Sequence, residues 1–470
     1  MKQLLGVALA TIFLAGCATP PAPGVVAQPA APSQWQAALP HQGQTSELTQ
    51  WWNQFNDPVL VQLQAAAQQA SPQLASALAR IERARASRAG ADAVAWPSLD
   101  ALASASTGRS APGQASSQQA RLGLQAGWEV DLFGGVAAAR QAEQARLDGA
   151  QAAWHDARVS LAAEVATSYV QLRACEAQLT TARLDADSRA QTTRLTELSA
   201  KAGLTAPADA ALVRGGAAQS RSQAISQQAQ CDTLVKGLVE TTDLAEAELR
   251  RWLAPSRALL PQPKPLTPAA LPAQLLGQRP DLAQAARNVA AAAADQTRTQ
   301  AQQRPRVMLS GSLAGVSLRS NGFQTQGTTW SIGPLSVSLP LFDAGARAAN
   351  TAAAKSTYDE AVALYAAQLR RAVREVESAL VALQSTALRD VDARAAAQDF
   401  EASLVATQAR QQGGLASVLD LEVARRNALQ AQSALIDLQR ERASAWITLY
   451  RALGGGWTAA ESVSTAAQQP

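Results

Sequence analysis

The feature that most constrains this fold is an internal duplication. The segment from Gly127 to Gly135 and the segment from Val337 to Gly345 both end a strand-like alternation in Leu-Phe and then turn through glycine. The two Leu-Phe pairs lie 209 residues apart. An internal repeat at a fixed period divides a chain into similar halves, so one structural unit is built twice.

Each copy leads into a long, alanine-rich helical pattern, 135–203 in the first half and 344–412 in the second. A sustained seven-residue period predicts coiled-coil packing rather than a helix on a globular core. At about 1.5 Å per residue, the first helix would be on the order of 100 Å long. Apolar residues recur at intervals of seven at Leu147, Trp154 and Leu161, at Val165, Leu172 and Leu179, and at Val362, Leu369, Val376 and Leu383.

Glycines end both helical patterns at equivalent points. Gly203 interrupts the first, and Gly413 and Gly414 interrupt the second, with Gly203 and Gly414 lying 211 residues apart. Further helical patterns at 208–253 and 415–453 run back. Because glycine just past a periodic stretch marks a helix C-terminus, each half predicts a long helical hairpin with its turn at these glycines.

Strand patterns precede each hairpin, at 98–107 and 119–133 in the first half and at 306–318 and 328–341 in the second. In 119–133, apolar residues alternate with polar ones, which predicts a strand with one apolar and one polar face.

The last strand carries a phase change. Simple alternation would place Trp330 and Ile332 on one face and Leu335 and Val337 on the other. We therefore predict a bulge at Gly333-Pro334, since both residues are typical of interrupted strands.

The junctions between strand and helix are expected at five residues, where glycine permits the change of direction. They are Phe133, Gly134 and Gly135 in the first half and Phe342 and Gly345 in the second.

Four strands of about a dozen residues suit an outer-membrane β-barrel, which needs about 9–11 tilted residues per span. Four strands cannot close a barrel, and an open edge in lipid is untenable. Three copies would supply twelve strands, and the helical hairpins would then extend into the periplasm. The predicted fold class is mostly α with a β membrane portion, with helical hairpins forming an α-barrel below a trimeric 12-stranded barrel.

The first residues resemble an export signal. Residues 1–16 contain a basic start and a short apolar core, and they lead into Leu-Ala-Gly-Cys at Cys17. This motif predicts a bacterial lipoprotein with a covalent lipid on Cys17; an ordinary signal peptide with a nearby cysteine is the alternative. The next residue is Ala18 rather than Asp, which by resemblance to the sorting rule of enteric bacteria favours the outer membrane. Residues 17–45 are expected to be a flexible tether.

The remaining boundaries follow from proline and from the repeat. The first repeat is assigned to 46–253 and the second to 276–456. A proline-rich link at 254–275 separates them, and residues 457–470 are expected to be a disordered tail.

Five motifs together resemble the outer membrane factor family, the TolC-like and OprM-like ducts, and in particular its NodT-type lipoprotein branch. They are Leu-Ala-Gly-Cys at 14–17, Trp-Trp-X-X-Phe-X-Asp-Pro at 51–58, Trp-Glu-X-Asp-Leu-Phe-Gly at 128–134, Arg-Pro-Asp-Leu at 279–282 and Leu-Pro-Leu-Phe-Asp-X-Gly at 339–345. The resemblance covers about 17–455. It implies a homotrimeric channel that reaches an inner-membrane pump through a periplasmic adaptor protein. It also implies an equatorial belt built from 45–70, 254–275 and the segment after 453.

The resemblance also implies a gate at the periplasmic hairpin tips. Residues 414–426 are similar to the family pattern Gly-Leu-Ala-Ser-Tyr-Leu-Asp-Val-Leu-Asp-Ala-Gln-Arg, although Val423 replaces its second acid. The gate candidates are Leu419 as an apolar ring, Asp420 and Glu422 as acids, Arg426 as their basic partner, and Asp209, which is equivalent to Asp420 in the first half. Threefold rings of acids attract cations or pair with arginine; solvated tip charges are the alternative.

Cys175 and Cys231 are the cysteines that remain after Cys17, and their midpoint is the turn residue Gly203. They therefore lie at about the same height in an antiparallel hairpin, and the oxidising periplasm favours a disulfide. Two buried free thiols are the alternative, since neighbouring helix axes are often too far apart for a bridge.

Nothing in the sequence indicates an enzyme, a metal site or a cofactor other than the lipid. The two histidines, His41 and His155, lack metal-ligand spacing. A net charge of +4 without a basic-aromatic patch does not indicate nucleic-acid binding.

The predicted function is a passive exit duct in the outer membrane for small molecules such as drugs. Its expected partners are outer-membrane lipids, an adaptor and a pump of the resistance-nodulation-division (RND) type. Type I protein secretion and metal efflux are alternatives within the same architecture. A lipid-anchored periplasmic coiled-coil structural protein is the alternative from another class.

Overall fold

The computed structural model describes residues 36–37, 48–109, 116–263, 276–320 and 322–457. The predicted signal peptide, Cys17 and His41 lie outside the described residues, as do the link residues 264–275 and all of the tether except 36–37. Of the tail predicted at 457–470, only Trp457 is described, and it is buried rather than disordered. The helices are α1 (Pro58–Ala70), α2 (Pro72–Ala93), α3 (Gly135–Lys201), α4 (Pro207–Thr242), α5 (Glu246–Leu253), α6 (Pro280–Ala301), α7 (Ala346–Gln412) and α8 (Val418–Ala452). The strands are β1 (Ser98–Gly108), β2 (Ser117–Val130), β3 (Arg306–Ser320) and β4 (Phe323–Ser338).

The two halves repeat the same order of two strands, a long helix and a returning helix. The long helices α3 and α7 each contain 67 residues, so the expected hairpins are present. The predicted helix at 208–253, however, is wrong as a single element. It breaks after Thr242, where Asp243 adopts φ 55° and its N–H donates to the carbonyl of Val239 at 2.9 Å. Aspartate tolerates this left-handed conformation better than most residues, so no glycine or proline marks the break.

The four strands form one antiparallel sheet in the order β1-β2-β3-β4. The central pair, β2 and β3, joins the two halves of the chain through fourteen registered positions, among them Leu124 opposite Leu313. Leu313 in turn lies opposite Trp330. Because paired residues point to the same face, one face of the sheet is apolar across both halves. Within the described residues, β1 pairs with β2 alone and β4 with β3 alone, so both outer edges are open.

The predicted bulge in the last strand is confirmed. Leu309 pairs with Leu335 and Gly311 pairs with Ile332, so Gly333 and Pro334 together oppose the single residue Ser310. The peptide bond between Gly333 and Pro334 is cis. The extra residue returns Ile332 and Leu335 to the same apolar face.

The strand ends differ from the prediction at the connections. β2 stops at Val130, before the predicted end at 133, while β4 begins at Phe323 rather than 328. Residues 323–329 carry threonine and glutamine without an apolar alternation, so the pattern does not reveal this part of the strand although the backbone pairs fully.

The chain divides into two compact units. The first unit comprises the described residues within 79–151 and 284–367 and contains the sheet. Its buried helical residues are mainly alanines: Ala138, Ala142, Ala145, Ala291, Ala292 and Ala294. Such small side chains let helix backbones approach closely, which is why this core is thin.

The second unit contains Ala152–Ala283, the described residues up to Leu78 and those from Gln368 onward. Its core is larger and includes Leu60, Leu63, Leu172, Leu238, Leu380 and Leu449, all completely buried. The N-terminal residues Gln36 and Ala37 are attached here, since their backbone N–H groups donate to the Glu377 carboxylate at 2.6 and 2.7 Å.

Candidate functional site

The two hairpin turns have the same backbone. Gly203 and Gly414 adopt φ 73° and 74°. The N–H of Leu204 donates to the Ser199 carbonyl at 2.9 Å, and the N–H of Leu415 donates to the Arg410 carbonyl at 2.7 Å. Each turn is thus a Schellman motif, which needs a left-handed residue that glycine supplies without strain. Gly413, the third predicted turn residue, lies just past the end of α7.

Asp420 acts as a helix cap in this chain. Its carboxylate accepts the N–H of Ser417 at 2.9 Å and the Ser417 hydroxyl at 2.7 Å, while the Ser417 hydroxyl accepts the N–H of Asp420 at 3.0 Å. This capping box begins α8. The Ser417 hydroxyl first, and then its backbone N–H, lower the pKa of Asp420.

Two other predicted gate residues are exposed at the tips. The Leu419 side chain is 60% exposed, so this chain leaves it available for an apolar contact. Asp209 is also exposed, in the first turn of α4, where no side chain caps the helix.

Glu422 lies in a cluster of four charged side chains contributed by two helices. Asp185 and Arg189 come from α3, and Glu422 and Arg425 come from α8. Arg189 donates to Asp185 at 2.9 Å and to Glu422, and Arg425 contacts Glu422 at 2.5 Å and Asp185 at 3.9 Å. Two acids and two arginines balance, so the cluster joins the first hairpin to the second without net charge.

Arg425 is the buried centre of this cluster, only 2% exposed. Its guanidinium also donates to the Ser188 hydroxyl at 3.0 Å and the Thr192 hydroxyl at 3.2 Å. Burial, the largest effect, and the neighbouring Arg189 lower the pKa of Arg425, while Glu422 and Asp185 oppose the shift. A charge buried this deeply is stable only while its acids and hydroxyls remain in place.

The predicted pairing of the tip acids with Arg426 is not formed within one chain, and between copies it stays a prediction. Arg426 is exposed, and no described acid forms an ion pair with it, whereas Arg425 one residue earlier holds Glu422. The reason is helical phase, because Arg425 falls four residues after the buried Leu421 and three before the buried Ala428. That spacing, an arginine on the apolar stripe of a helix, was the signal in the sequence; Asp185 and Arg189 carried no comparable signal.

A third helix closes over the cluster at Gly216 of α4. A Cβ at this position would lie 3.0 Å from Nη1 of Arg189 and 4.0 Å from Oε2 of Glu422. Glycine therefore leaves the space in which the Arg189–Glu422 pair lies against α4.

Cys175 and Cys231 form a disulfide between α3 and α4, with their Cα atoms 5.6 Å apart. Both residues are buried, and the Gln227 side-chain amide donates to the Cys175 carbonyl at 3.4 Å. The bridge ties together the two helices of the first hairpin only.

The strand-to-helix junctions share a backbone turn and an aspartate. Gly134 and Gly345 adopt φ 74° and 88°. Asp131 accepts the N–H of Ala137 at 2.8 Å, and Asp343 accepts the N–H groups of Gly345 and Arg347 at 3.1 Å each. Each carboxylate satisfies otherwise unpaired N–H groups at the start of a long helix.

The described residues hold no group of three or more histidine, cysteine or acidic side chains arranged to bind a metal ion. None of the helices in these residues has an apolar stretch long enough to cross a membrane.

The duplicated strands, the paired hairpins and the charged tip are those of an outer-membrane efflux channel. The family model described as outer membrane efflux protein matches residues 63–242 and 271–455, and the chain belongs to this family.

Relatives and solved structures agree along nearly the whole chain. The pyoverdine export outer membrane protein OpmQ of Pseudomonas aeruginosa is 30% identical over 95% of this chain and 96% of its own. The solvent efflux pump outer membrane protein SrpC of Pseudomonas putida is 29% identical over 96% and 98%. The outer-membrane channel OprN superposes with a TM-score of 0.80 at 28% identity, covering 92% of this chain and all of that one. VceC of Vibrio cholerae superposes with a TM-score of 0.75 at 26% identity, covering 88% and all.

Proposed function

We propose that this chain is the exit duct of a tripartite efflux system, in which three copies close a twelve-stranded barrel and conduct small molecules such as drugs. The observation that carries the proposal is the sheet itself, which has one apolar face and two open edges. An open edge in lipid leaves backbone groups unpaired. Pairing β1 of one copy with β4 of the next removes every edge, and three copies supply the twelve strands of the proposed barrel.

The partners proposed for the duct are a periplasmic adaptor and an inner-membrane pump of the RND type. Relatives named for solvent efflux and pyoverdine export support small-molecule cargo. A relative named cation efflux system protein CusC, 28% identical, keeps metal efflux as an alternative cargo class. Type I protein secretion remains an alternative use of the same duct. Transport through the duct is passive, and the chain is not an enzyme.

The four-charge cluster is the part of the gate that this chain contributes by itself. Asp185 and Arg189 of α3 hold Glu422 and Arg425 of α8, so α8 cannot move away from α3 without separating buried charges. Opening of the duct would break these pairs. Leu419 and Asp420 at the exposed tip, with Asp209 and Arg426, are the residues available for contacts between copies.

The protein is placed in the outer membrane, with the hairpins in the periplasm and a lipid on Cys17. The first residues support the lipid through the Leu-Ala-Gly-Cys motif. Mass spectrometry of the mature N-terminus tests it directly, because an unmodified Cys17 or cleavage at another residue would remove the anchor.

The decisive experiment is reconstitution. The full-length protein, extracted in detergent, should migrate as a heat-sensitive trimer and conduct ions in planar bilayers. A soluble, elongated and non-conducting protein after removal of Cys17 would instead establish the coiled-coil structural protein.

A further inference from the structure

A cavity of about 870 Å³ lies within the first unit, where the strands meet the long helices. The ends of β2 and β4, the start of β3, the first turns of α3 and the last turns of α2 and α6 line it. Its volume is in the range of sites that take a drug-sized molecule.

The acids in this cavity are already engaged. Glu129 pairs with Arg306 at 2.6 Å, and Asp131 accepts the N–H of Ala137 at 2.8 Å. The third acid, Glu143, pairs with an arginine of its own helix at 2.5 Å. Glu129 and Glu143 are thus neutralised by arginines, whereas Asp131 is hydrogen-bonded to a backbone N–H and keeps its negative charge.

Two of the arginines have no such compensation. The lining contains Arg298, Arg304, Arg306 and Arg347. Arg306 is held by Glu129, and Arg347 is held by Asp343 at 2.9 Å. No acid among the described residues forms an ion pair with Arg298 or Arg304, and both are exposed at the cavity. The cavity therefore presents two guanidinium groups that can donate hydrogen bonds to a ligand.

The register of the sheet shows on which face the charged strand residues of the cavity lie. Glu129 points away from the face that carries Leu124, Leu313 and Trp330, because alternate residues of a strand face opposite sides. In the proposed duct the apolar face meets lipid, so Glu129 and Arg306, which line the cavity, face the water-filled interior.

We propose that this cavity is a binding site for small organic anions on their way through the duct. A carboxylate or sulfonate accepts paired hydrogen bonds from guanidinium groups such as Arg298 and Arg304, while an apolar part lies against Val94, Val136 and Phe133. The inference rests on the proposed duct function and narrows its cargo to a charge class.

Equilibrium dialysis with naphthalenesulfonate tests the site, using full-length protein in nanodiscs and empty nanodiscs as background. The uncharged naphthalenesulfonamide has nearly the same size and measures the apolar contribution alone. R298Q/R304Q should raise the Kd for naphthalenesulfonate about tenfold or more and leave the Kd for naphthalenesulfonamide unchanged. A tenfold change corresponds to the loss of one good charged contact.

The control R109Q/R319Q removes the same charge from strand ends outside the cavity lining, and it should keep the wild-type Kd. An unchanged Kd in R298Q/R304Q, or an equal loss in the control, would overturn the inference. Bilayer conductance of the same preparation separates this failure from failure of the duct. A conducting trimer without selective anion binding refutes only the site, whereas absence of conductance refutes the duct even if the single-chain cavity still binds the probe.

Discussion

The two hairpin tips share one turn but are secured in different ways. Gly203 and Gly414, 211 residues apart, build the same backbone. Past the turn, the first hairpin begins α4 at Ala206-Pro207 without a side-chain cap, while the second begins α8 with the capping box of Ser417. Duplication has therefore preserved the geometry of the turn and changed what surrounds it.

The contacts that hold the helices of the two hairpins in place also differ. A disulfide closes the first hairpin on itself, and the equivalent positions of the second hold Thr386 and Arg442. Arg425, by contrast, is buried in a cluster that ties α8 to α3, while its equivalent Arg214 is 57% exposed and lies 3.5 Å from Glu197. A covalent bond closes the first hairpin on itself, whereas ion pairs hold α8 of the second hairpin to α3 of the first, so α8 is the helix that can be released reversibly.

The largest effect is expected from R425Q. Removing the buried guanidinium leaves Arg189 alone to balance Asp185 and Glu422, so one negative charge of the cluster loses its compensation. Breaking a buried ion pair in this way costs about 3–5 kcal/mol. The thermal midpoint of the purified protein should fall, and the bilayer conductance should rise several-fold because only the Arg189–Glu422 pair of the cluster still holds α8 to α3. R426Q removes an exposed charge from the next residue and should change neither quantity. Equal effects of the two substitutions would show that the cluster does not hold α8 to α3.

The next largest effect is expected from C175S/C231S. Loss of a native disulfide typically costs about 2–4 kcal/mol, and it should lower the thermal midpoint without raising conductance, because α8 remains tied to α3. Reductant should lower the midpoint of the wild-type protein and leave the variant unaffected. A rise in conductance matching that of R425Q would mean that both hairpins take part equally in opening.

Substitutions at the two N-cap positions can make the helix starts of the two tips more alike. S417A should destabilise the second tip by about 1 kcal/mol, and A206S should stabilise the first by a similar amount. The gain is expected because Asp209 already occupies the position that Asp420 takes in the capping box.

Hydrogen exchange of amides in the first turns of α4 and α8 measures both changes locally. Faster exchange in α4 of A206S would show that the two tips differ in more than their caps.

The smallest effect is expected at the adjacent glycines of α4. G215A should stabilise the protein by up to about 1 kcal/mol through helix propensity, since a Cβ there meets nothing within 4 Å. G216A should gain less or nothing, because its methyl group presses on Nη1 of Arg189. Thermal midpoints of the pair provide the comparison, and equal gains would indicate that Arg189 moves aside without cost.

Periodicity and turn chemistry were sufficient to predict the hairpins, their glycine turns and the bulge at Gly333-Pro334, because each depends on neighbouring residues. The height of Cys175 and Cys231 in the hairpin followed from simple symmetry about Gly203. The break at Asp243 was not predictable, since aspartate enters a left-handed conformation without a distinctive neighbour.

The charged cluster escaped prediction for another reason. Arg189 and Glu422 are 233 residues apart and belong to different hairpins, so only the packing of α8 against α3 brings them together. Arg425 alone carried a local signal, its place between Leu421 and Ala428 on the buried stripe. The family pattern drew the prediction to Arg426, one residue away and exposed.

The seam between β2 and β3 has a consequence for the kinetics of assembly. These strands come from the two halves of the chain and pair along fourteen positions. The proposed trimer contains six such halves and six seams between them, and three of these seams form within single molecules. Such contacts form at a high effective concentration that does not depend on how much protein is present. A ring of six hairpins therefore requires three molecules to meet instead of six. On dilution, the yield of assembled trimer should fall far less steeply than the yield of a hexamer built from separately expressed halves.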